Sequence, residues 1–425
     1  MRASRIATVV SRQVLDCRGD PTVEVDITTD EGHFGRADVP VGRSRGSNEA
    51  FELRDKGRAY SGRGVLKAVR NVNETIAPAL KGVPVTDQQR IDQLLIGLDG
   101  TPDKSKLGGN ALVGVSLAAA KCASAALGTA LYRYIGGADA NILPVPFFDM
   151  IEGGKLAASG LGAQEHQVVP TGAKSFSDAM RIGMEVYHEL GALLEKKYGR
   201  QSTNLGVEGG YAPSEMKNPT QAFDVELKAI KELGYEKECE LAADMAATHF
   251  YDKKTKRYRY MGKELTTAQM IDFYQDLVKS YPVISIEDPL QEEDFRGFRN
   301  LTRAVDIQII GDDLFVTNPA RLRKGIEMGA ANALLFKVNQ VGTLTEALGC
   351  ARLAFRSGYG VQVSERSGQT EDTWLADLSV GLGSGQIKTG VNRGERMAQY
   401  NRLFRIEEEL ASPRYAGRDF RKPTL

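Results

Sequence analysis

Cysteine is scarce in this chain, with only four among 425 residues, and histidine is equally scarce. The cysteines are scattered without CxxC spacing, so the sequence offers no thiolate motif for metal binding or redox chemistry. Reduced cysteines in a cytoplasmic protein are therefore expected. The four are Cys17, Cys122, Cys239 and Cys350.

The chain also lacks an excess of charge and any long hydrophobic run. Lysine plus arginine and aspartate plus glutamate both number 55, so the formal net charge is zero. This balance argues against a nucleic-acid or membrane-surface partner. No apolar run is long enough to cross a bilayer, and the first residues, MRASRIATVVSRQVLD, lack the apolar core of a signal peptide. With 42% hydrophobic residues, the composition is typical of a globular protein with a sizeable core.

Periodicity and turn signals divide the chain near residue 138, where Gly and Pro are frequent. Residues 1–137 read as an α+β domain with an antiparallel hairpin over about 22–40 and a mobile loop over 40–48. In residues 138–425, β-rich runs alternate with amphipathic helices. Strict alternation of this kind predicts a parallel sheet with helical crossovers, here an α/β barrel.

Charged residues recur at the ends of short apolar runs in this second part. A parallel barrel places the carboxyl ends of its strands on one face, so these side chains should converge on one pocket. Three carboxylates and a lysine gathered there suggest a divalent cation, an anionic substrate and a proton transfer. The residues that end these runs are Asp244, Glu287, Asp312, Lys337, Glu365 and Lys388.

The residue types indicate which chemistry is available. Asp244, Glu287 and Asp312 provide hard oxygen ligands, which suit Mg²⁺, whereas zinc would recruit histidine or cysteine. Lys337 could act as a general base if burial and nearby cations lowered its pKa, and Lys388 could hold a substrate carboxylate. The alternative is that the acids cap helices or pair with surface lysines, and that the two lysines are structural partners.

Ten segments spread over nearly the whole chain are similar to one family, the enolases, which act as the phosphopyruvate hydratase of glycolysis. The resemblance implies a small N-terminal α+β domain, an eight-stranded α/β barrel, Mg²⁺ as cofactor and a homodimer or higher homo-oligomer. The segments are LDCRGDPTVEV (15–25), EAFELRD (49–55), NALVGVSLAAAKCAS (110–124), LYRYIGG (131–137), SIEDPL (285–290), GDDLFVTNP (311–319), KVNQVGTLTE (337–346), RSGQTEDT (366–373), GQIKTG (385–390) and NRLFRIEEEL (401–410).

The same resemblance implies a role for each matching residue. Asp244, Glu287 and Asp312 correspond to the Mg²⁺ ligands, and Lys337 corresponds to the base that removes the proton beside the carboxylate. The remaining matches are acids near the leaving hydroxyl or residues that bind the substrate and its phosphate. They are Glu165 and Glu208 for the acids, and Gln164, Arg366, Ser367 and Lys388 for substrate binding.

The chain departs from the family pattern on one side of this pocket. Leu156 and Glu365 stand where the family has histidines, and Val207 replaces an aspartate in Gly206–Gly210. None of the four histidines present replaces a lost one in sequence. His166 is beside Glu165 and has two interpretations: it reaches the pocket, or it is a structural histidine.

The loop over residues 40–48 departs as well. Val41 replaces a serine that helps to hold a second Mg²⁺ in the family, and Arg43 and Arg45 are new. The two arginines could bind an extra phosphate, phosphonate or carboxylate. Their alternative interpretation is a solvated basic loop. Glu365 belongs to the same side of the pocket, where the chain departs from the family, and is a further candidate for substrate binding.

These departures favour a diverged Mg²⁺-dependent enzyme over the parent reaction. Loss of the acid neighbourhood should impair expulsion of hydroxide. We therefore expect Lys337-mediated enolate chemistry on a small phosphorylated or phosphonate substrate, as in carboxyphosphonoenolpyruvate synthesis in phosphonate metabolism. The alternatives are an ordinary phosphopyruvate hydratase and a non-catalytic protein on the same scaffold.

Overall fold

A computed structural model describes residues 4–42, 46–157 and 159–422 of the chain. Within these residues the strands form a closed eight-stranded barrel, two three-stranded sheets and one two-stranded pair. In chain order the strands are β1 (Ile6–Leu15), β2 (Pro21–Thr29), β3 (Phe34–Asp38), β4 (Ile142–Leu143), β5 (Val145–Glu152), β6 (Glu165–Val169), β7 (Glu240–Asp244), β8 (Tyr251–Asp252), β9 (Arg257–Tyr260), β10 (Lys263–Leu265), β11 (Val283–Glu287), β12 (Gln308–Gly311), β13 (Ala333–Phe336), β14 (Gly360–Ser364), β15 (Gln386–Lys388) and β16 (Arg414–Tyr415).

The helices surround the barrel and cover one side of the first sheet. A π-helical segment, Asn71–Ile76, joins the first two helices into one continuous rod, and short 3-10 turns occur between several elements. In chain order the helices are α1 (Leu66–Arg70), α2 (Ala77–Leu80), α3 (Gln88–Asp99), α4 (Gly109–Ala126), α5 (Leu131–Gly136), α6 (Phe176–Tyr198), α7 (Pro219–Leu233), α8 (Thr267–Ser280), α9 (Phe295–Ala304), α10 (Pro319–Met328), α11 (Leu344–Arg356), α12 (Trp374–Gly381) and α13 (Gly394–Glu409).

The first sheet is an antiparallel meander in the order β1–β2–β3. The alternating pattern predicted the β2–β3 hairpin, and β1 adds a strand that was not predicted. Helix α4 packs against β2 and β3 and is buried along most of its length, because small residues let it approach the sheet closely. At Gly35 of β3, an added Cβ would lie 2.3 Å from the backbone nitrogen of Cys122.

The barrel runs in the order β5–β6–β7–β11–β12–β13–β14–β15 and closes on β5. An α/β barrel was predicted and is confirmed, but the prediction of an entirely parallel sheet was wrong. Strand β6 is antiparallel to both β5 and β7. The described residues between β5 and β6 contain no helical crossover, and a connection without a crossover joins antiparallel strands.

Local sequence signals account for the helix boundaries around the barrel. Asn218 and Thr266 form capping boxes at the starts of α7 and α8, and Asn318 caps α10 ahead of a proline. Helices α7 and α10 end at Gly234 and Gly329, both in the left-handed conformation that glycine adopts without strain. Each helix therefore ends where the chain turns back into the barrel.

Among the described residues, no single helix is both long and apolar enough to cross a membrane. One pair, 109–126 with 131–139, passes the same test jointly by length and composition, with a bend of 97° between its members.

We predict that Gly35→Ala destabilises the fold, because the new methyl group would overlap the backbone of α4. The expected loss is about 1–3 kcal/mol of unfolding free energy, the usual range for overpacking. Urea denaturation measures it. Gly97→Ala is the matched control, since this helical glycine has open space around it and alanine favours helix by roughly 1 kcal/mol. Equal stability of the two variants would contradict this packing account.

Candidate active site

One pocket opens at the barrel mouth, the face at which the parallel strands end. The six charged residues predicted at strand ends lie at or directly after the ends of β7 and β11–β15. The convergence predicted from their spacing is therefore present in the structure. Of the predicted residues that the structure describes, those lining the pocket are Gln164, Glu165, Glu208, Asp244, Asp312, Lys337, Glu365, Arg366, Ser367 and Lys388.

Glu165 reaches the mouth for a different reason from the others. It is the first residue of β6, and because β6 is antiparallel, this strand begins where its neighbours end. In the barrel register Glu165 lies opposite Asp244 on one side and Glu152 on the other. The antiparallel strand therefore places a further carboxylate beside the ends of the parallel strands.

Lys388 lies at the centre of the acidic residues. Its Nζ is 2.6 Å from Glu287 Oε2, 3.0 Å from Glu165 Oε2 and 3.4 Å from Asp244 Oδ2. Burial lowers the pKa of Lys388, but these carboxylates outweigh it and raise the pKa well above its usual value. Lys388 is therefore a fixed positive charge, as its predicted role in holding an anion requires.

Lys337 pairs with Asp312, with Nζ 2.6 Å from Oδ2, while Gln340 donates to the other oxygen of Asp312 at 2.7 Å. The sequence made the role of Lys337 as base conditional on a lowered pKa, and the Asp312 pair does not meet this condition. Burial does lower the pKa of Lys337, but the Asp312 carboxylate opposes burial and the net shift is upward. The nearby cations Arg366 and Lys388 also lower the pKa of Lys337, but their effect is too weak to reverse the net upward shift.

The residues present suit a hard divalent cation. Glu287 Oε1 is buried and accepts no hydrogen bond from the described residues. Burial and the Asp244 carboxylate raise the pKa of Glu287 well above its usual value, which shows that the acids crowd one another. Asp244 and Glu287 share Lys388, and Asp312 is held by Lys337. The donors are all carboxylate oxygens, which is the ligand set Mg²⁺ prefers.

The spacing of the acids is less simple than the sequence suggested. Among the described residues, carboxylates whose oxygens all lie within 4.8 Å of one another form two groups, and only Asp312 of the predicted ligands belongs to either. The ammonium groups of Lys337 and Lys388 instead contact the predicted ligands. The two groups are Asp149, Glu208 and Glu365, and Asp288, Asp312 and Asp313.

The opposite wall of the pocket carries an acid that can be protonated near neutral pH. Glu208 is buried, and its pKa is raised to about 7 by burial and by the Glu165 carboxylate. Glu165 itself keeps a lowered pKa, because Lys388 overcomes the effect of burial. Leu156 lines the same wall where the family has a histidine. This wall thus carries a carboxyl group that is partly protonated near neutral pH, although that histidine is missing.

Glu365 is held by its own partners. Its Oε2 pairs with Arg396 and accepts a hydrogen bond from Thr389 at 2.7 Å. Arg396 is fully buried and donates to the carbonyl oxygens of Arg366 and Ser367, both at 2.9 Å. Glu365 therefore helps to fix the segment that carries the predicted phosphate-binding residues.

Arg366 forms a bidentate ion pair with Glu49, at 2.9 and 3.1 Å. The loop before Glu49 docks against the same segment, since Val41 and Gly368 exchange backbone hydrogen bonds at 2.8 Å. Ser367 Oγ accepts a hydrogen bond from Arg18 at 3.3 Å. Arg43 and Arg45, predicted to bind substrate, lie outside the described residues.

His166 does not reach the pocket, so the structural interpretation is the right one. Successive side chains of a strand alternate between its faces, and the neighbours Glu165 and Gln167 point into the barrel. His166 packs edge-on against Phe223 of α7, with ring centroids 5.0 Å apart. Burial lowers its pKa to about 4.

Several residues of the site were missed by the sequence analysis. Gln167 donates to Asp149 at 2.7 Å and to Glu165 at 2.9 Å. Glu49 lies in a segment that already matched the family, and this match was the available signal for its pairing with Arg366. Arg396 occurs in a charged helix and has no sequence signal that separates it from surface arginines.

Comparisons with known proteins agree over both parts of the chain. The model of the enolase C-terminal TIM barrel domain matches residues 140–424, and that of the enolase N-terminal domain matches residues 6–135. A protein of Methanopyrus kandleri named "Enolase" is 57% identical, covering 96% of each chain. Proteins with the same name from Methanocaldococcus jannaschii and Thermococcus gammatolerans are 54% and 53% identical, covering 98% and 99% of each chain.

These similarities correct the functional prediction. The relatives are full-length enolases at more than half identity, and none of those named above carries a phosphonate-related name, so the preferred hypothesis of a specialised phosphonate enzyme or transferase was wrong. That hypothesis required the loss of the histidines to remove the proton donor, whereas burial and the Glu165 carboxylate raise the pKa of Glu208 to about 7. The prediction of Mg²⁺ as cofactor is confirmed.

We predict that His166 makes the fold sensitive to acid. Its pKa falls from 6.5 in the unfolded chain to about 4 in the fold, so the unfolded chain binds the extra proton between these values. Stability therefore drops as pH falls through this window, by about 2 kcal/mol between pH 7 and 5 for this residue. His166→Leu should lose less stability than the wild type over the same interval in urea denaturation. A parallel loss in both proteins would contradict this account.

Proposed function

Since the chain belongs to the enolase family, we propose that it is a phosphopyruvate hydratase. This lyase removes water from 2-phosphoglycerate to give phosphoenolpyruvate. The names and lengths of the relatives support the proposal. The observation that carries it is one pocket lined by a largely buried lysine, Lys337, and by a buried acid whose pKa is raised to about 7, Glu208.

Lys337 is the proposed base. It takes the proton from C2 of the substrate, and the electron pair left behind is first held as an enolate of the carboxylate and then forms the C2–C3 double bond as hydroxide leaves C3. A proton beside a carboxylate is weakly acidic, so positive charge at that carboxylate is needed for its removal. Lys388 provides a fixed positive charge. Asp244, Glu287 and Asp312 would hold Mg²⁺, which would supply further positive charge. By offsetting the Asp312 carboxylate that raises the pKa of Lys337, the ion would also favour the neutral form of the lysine that can act as base.

Glu208 is the proposed acid. Near neutral pH a substantial fraction of its carboxyl group is protonated and can deliver that proton to the leaving hydroxide, which departs as water. Glu165 stays ionised beside it, held by Lys388, and keeps the pKa of Glu208 high. The two neighbouring carboxyl groups thus have different protonation states, as acid catalysis requires.

The other predicted residues are proposed to bind the substrate. Arg366 and Ser367 would hold the phosphate, since Arg366 is a buried positive charge at the pocket and Glu49 fixes its guanidinium in place. Gln164 is fixed by its hydrogen bond to Asp244 at 3.0 Å and lines the same cavity. Glu365 is proposed to support substrate binding indirectly, because it pairs with Arg396, which holds the backbone of Arg366 and Ser367.

We also propose that the chain forms a homodimer or higher homo-oligomer in the cytoplasm and folds as two domains, residues 1–137 and 138–425. The family assignment supports the assembly, and the separate matches to 6–135 and 140–424 support the division. Light scattering after size exclusion measures the oligomer.

The roles of base and acid predict different losses. Lys337→Ala should abolish both the exchange of the C2 proton with deuterated solvent and the formation of phosphoenolpyruvate. Glu208→Gln should keep the exchange and lower dehydration by about 10²–10⁴-fold, the usual contribution of a general acid. Proton NMR follows exchange, and ultraviolet absorbance follows the product.

Lys104→Ala is the control for these variants, because Lys104 is a buried lysine that pairs with Glu346 outside the pocket. It should leave both readouts within about twofold, as expected for a change remote from the chemistry. Exchange that survives in Lys337→Ala would show that the base is misassigned. Equal loss of exchange and dehydration in Glu208→Gln would remove Glu208 from the role of acid.

Removal of the metal gives a separate prediction. Treatment with a chelator should abolish dehydration, and added Mg²⁺ should restore it. Asp312→Asn should raise the Mg²⁺ concentration for half-maximal activity by at least about 10-fold, because one ionised ligand is lost. The control is Asp92→Asn, because Asp92 is a buried aspartate that accepts a hydrogen bond from Ser116 and lies far in sequence from the proposed ligands. Unchanged Mg²⁺ dependence in Asp312→Asn would exclude this ligand.

A further inference from the structure

We propose that Glu152 is a positioning residue that holds the backbone of Glu208, and thereby aims its carboxyl group into the pocket. The inference rests on the proposed dehydration, in which Glu208 is the acid. Glu152 ends β5, and the family comparison assigned it no role. It is fully buried beside the barrel mouth.

A single carboxylate oxygen of Glu152 accepts two backbone hydrogen bonds. Oε1 accepts from the N–H of Glu208 at 2.9 Å and from the N–H of Gly210 at 2.7 Å. The backbone N–H of Glu152 donates to the carbonyl of Tyr211 at 2.8 Å, which ties the same segment to the end of β5. The turn that carries Glu208 is thus bound to one side chain of the barrel.

The turn fits closely around the carboxyl group of Glu152. The N–H of Gly206 donates to the carbonyl of Gly210 at 2.8 Å and closes the segment 206–210. An added Cβ at Gly206 would lie 2.2 Å from Glu152 Oε2, and one at Gly210 would lie 2.3 Å from the carbonyl of Asp149. Only glycine permits this approach, so the segment is shaped to wrap Glu152.

Other contacts fix the far side of the turn. The carbonyl of Glu208 accepts from the N–H of Val391 at 3.2 Å, and the hydroxyl of Tyr187 donates to the carbonyl of Gly209 at 2.9 Å. With both backbone groups of Glu208 engaged, its side chain is the part left to face the pocket. Loss of Glu152 would leave two buried N–H groups without their acceptor and release one side of the turn.

An assay on the full-length protein with Mg²⁺ and 2-phosphoglycerate measures dehydration and C2 exchange together. Comparing the two distinguishes a positioning role of Glu152 from a general loss of structure. Glu152→Ala should lower kcat for dehydration by about 100-fold, the effect of a displacement near 1 Å in a catalytic group. Exchange of the C2 proton should change little, because Lys337 lies on the other wall. Glu152→Gln should recover most of the dehydration, since its amide oxygen accepts the same two hydrogen bonds.

Two further variants guard against misfolding. Gly206→Ala, which presses on Glu152 Oε2, should give the same separation of the two readouts. Glu226→Ala is the matched control, because Glu226 is a buried glutamate of α7 whose oxygens accept no hydrogen bond from the described residues. It should change exchange and dehydration in equal proportion.

Parallel loss of both readouts in Glu152→Ala, an unchanged dehydration rate in this variant, or no recovery in Glu152→Gln would overturn the inference alone. If the wild type gives exchange without dehydration, or neither reaction, the proposed function fails as well. The two failures are therefore distinguishable by the behaviour of the wild type.

Discussion

The ammonium of Lys388 contacts carboxylates from three other strands of the barrel, those of Glu165, Asp244 and Glu287. Each of these acids is buried, and a buried carboxylate without a counter-charge would cost several kcal/mol. The lysine therefore lets the barrel concentrate acids at one end. A cation-binding pocket follows from this arrangement, because the acids still outnumber the lysines and Glu287 keeps an oxygen without a hydrogen bond from the described residues.

The same constraint divides the pocket into two halves. Around Lys337, the Asp312 carboxylate dominates and keeps the lysine charged. Around Glu208, burial and the neighbouring Glu165 favour a neutral carboxyl group. Both groups therefore carry a proton, so Glu208 can give one, whereas Lys337 must first lose its own, which Mg²⁺ bound at Asp312 would favour. The two positions where the family has histidines, Leu156 and Glu365, belong to the wall around Glu208. Glu365 does not act there as a free acid, because it pairs with Arg396.

Much of this arrangement was predictable from the sequence, because the strand-end charges recur with the period of a strand plus a helix. That period gave Asp244, Glu287, Asp312, Lys337 and Lys388 their common location. The antiparallel direction of β6 was not predictable in this way, since periodicity does not distinguish strand directions. Nor does periodicity report pKa values, which depend on the balance between burial and a partner such as Asp312. The substituted residues of the pocket led to the wrong prediction of the reaction. A sequence does not show that a neighbouring acid such as Glu208 has a raised pKa.

The most direct test of the account follows both halves of the reaction in the wild-type protein at once. With Mg²⁺ and 2-phosphoglycerate in deuterated water, NMR should show phosphoenolpyruvate forming while the remaining substrate gains deuterium at C2. This result would mean that the protein performs both steps assigned to the pocket, removal of the C2 proton and expulsion of hydroxide. Deuterium uptake without phosphoenolpyruvate would contradict the proposed dehydration, and the absence of both would contradict the assignment of the pocket as this active site.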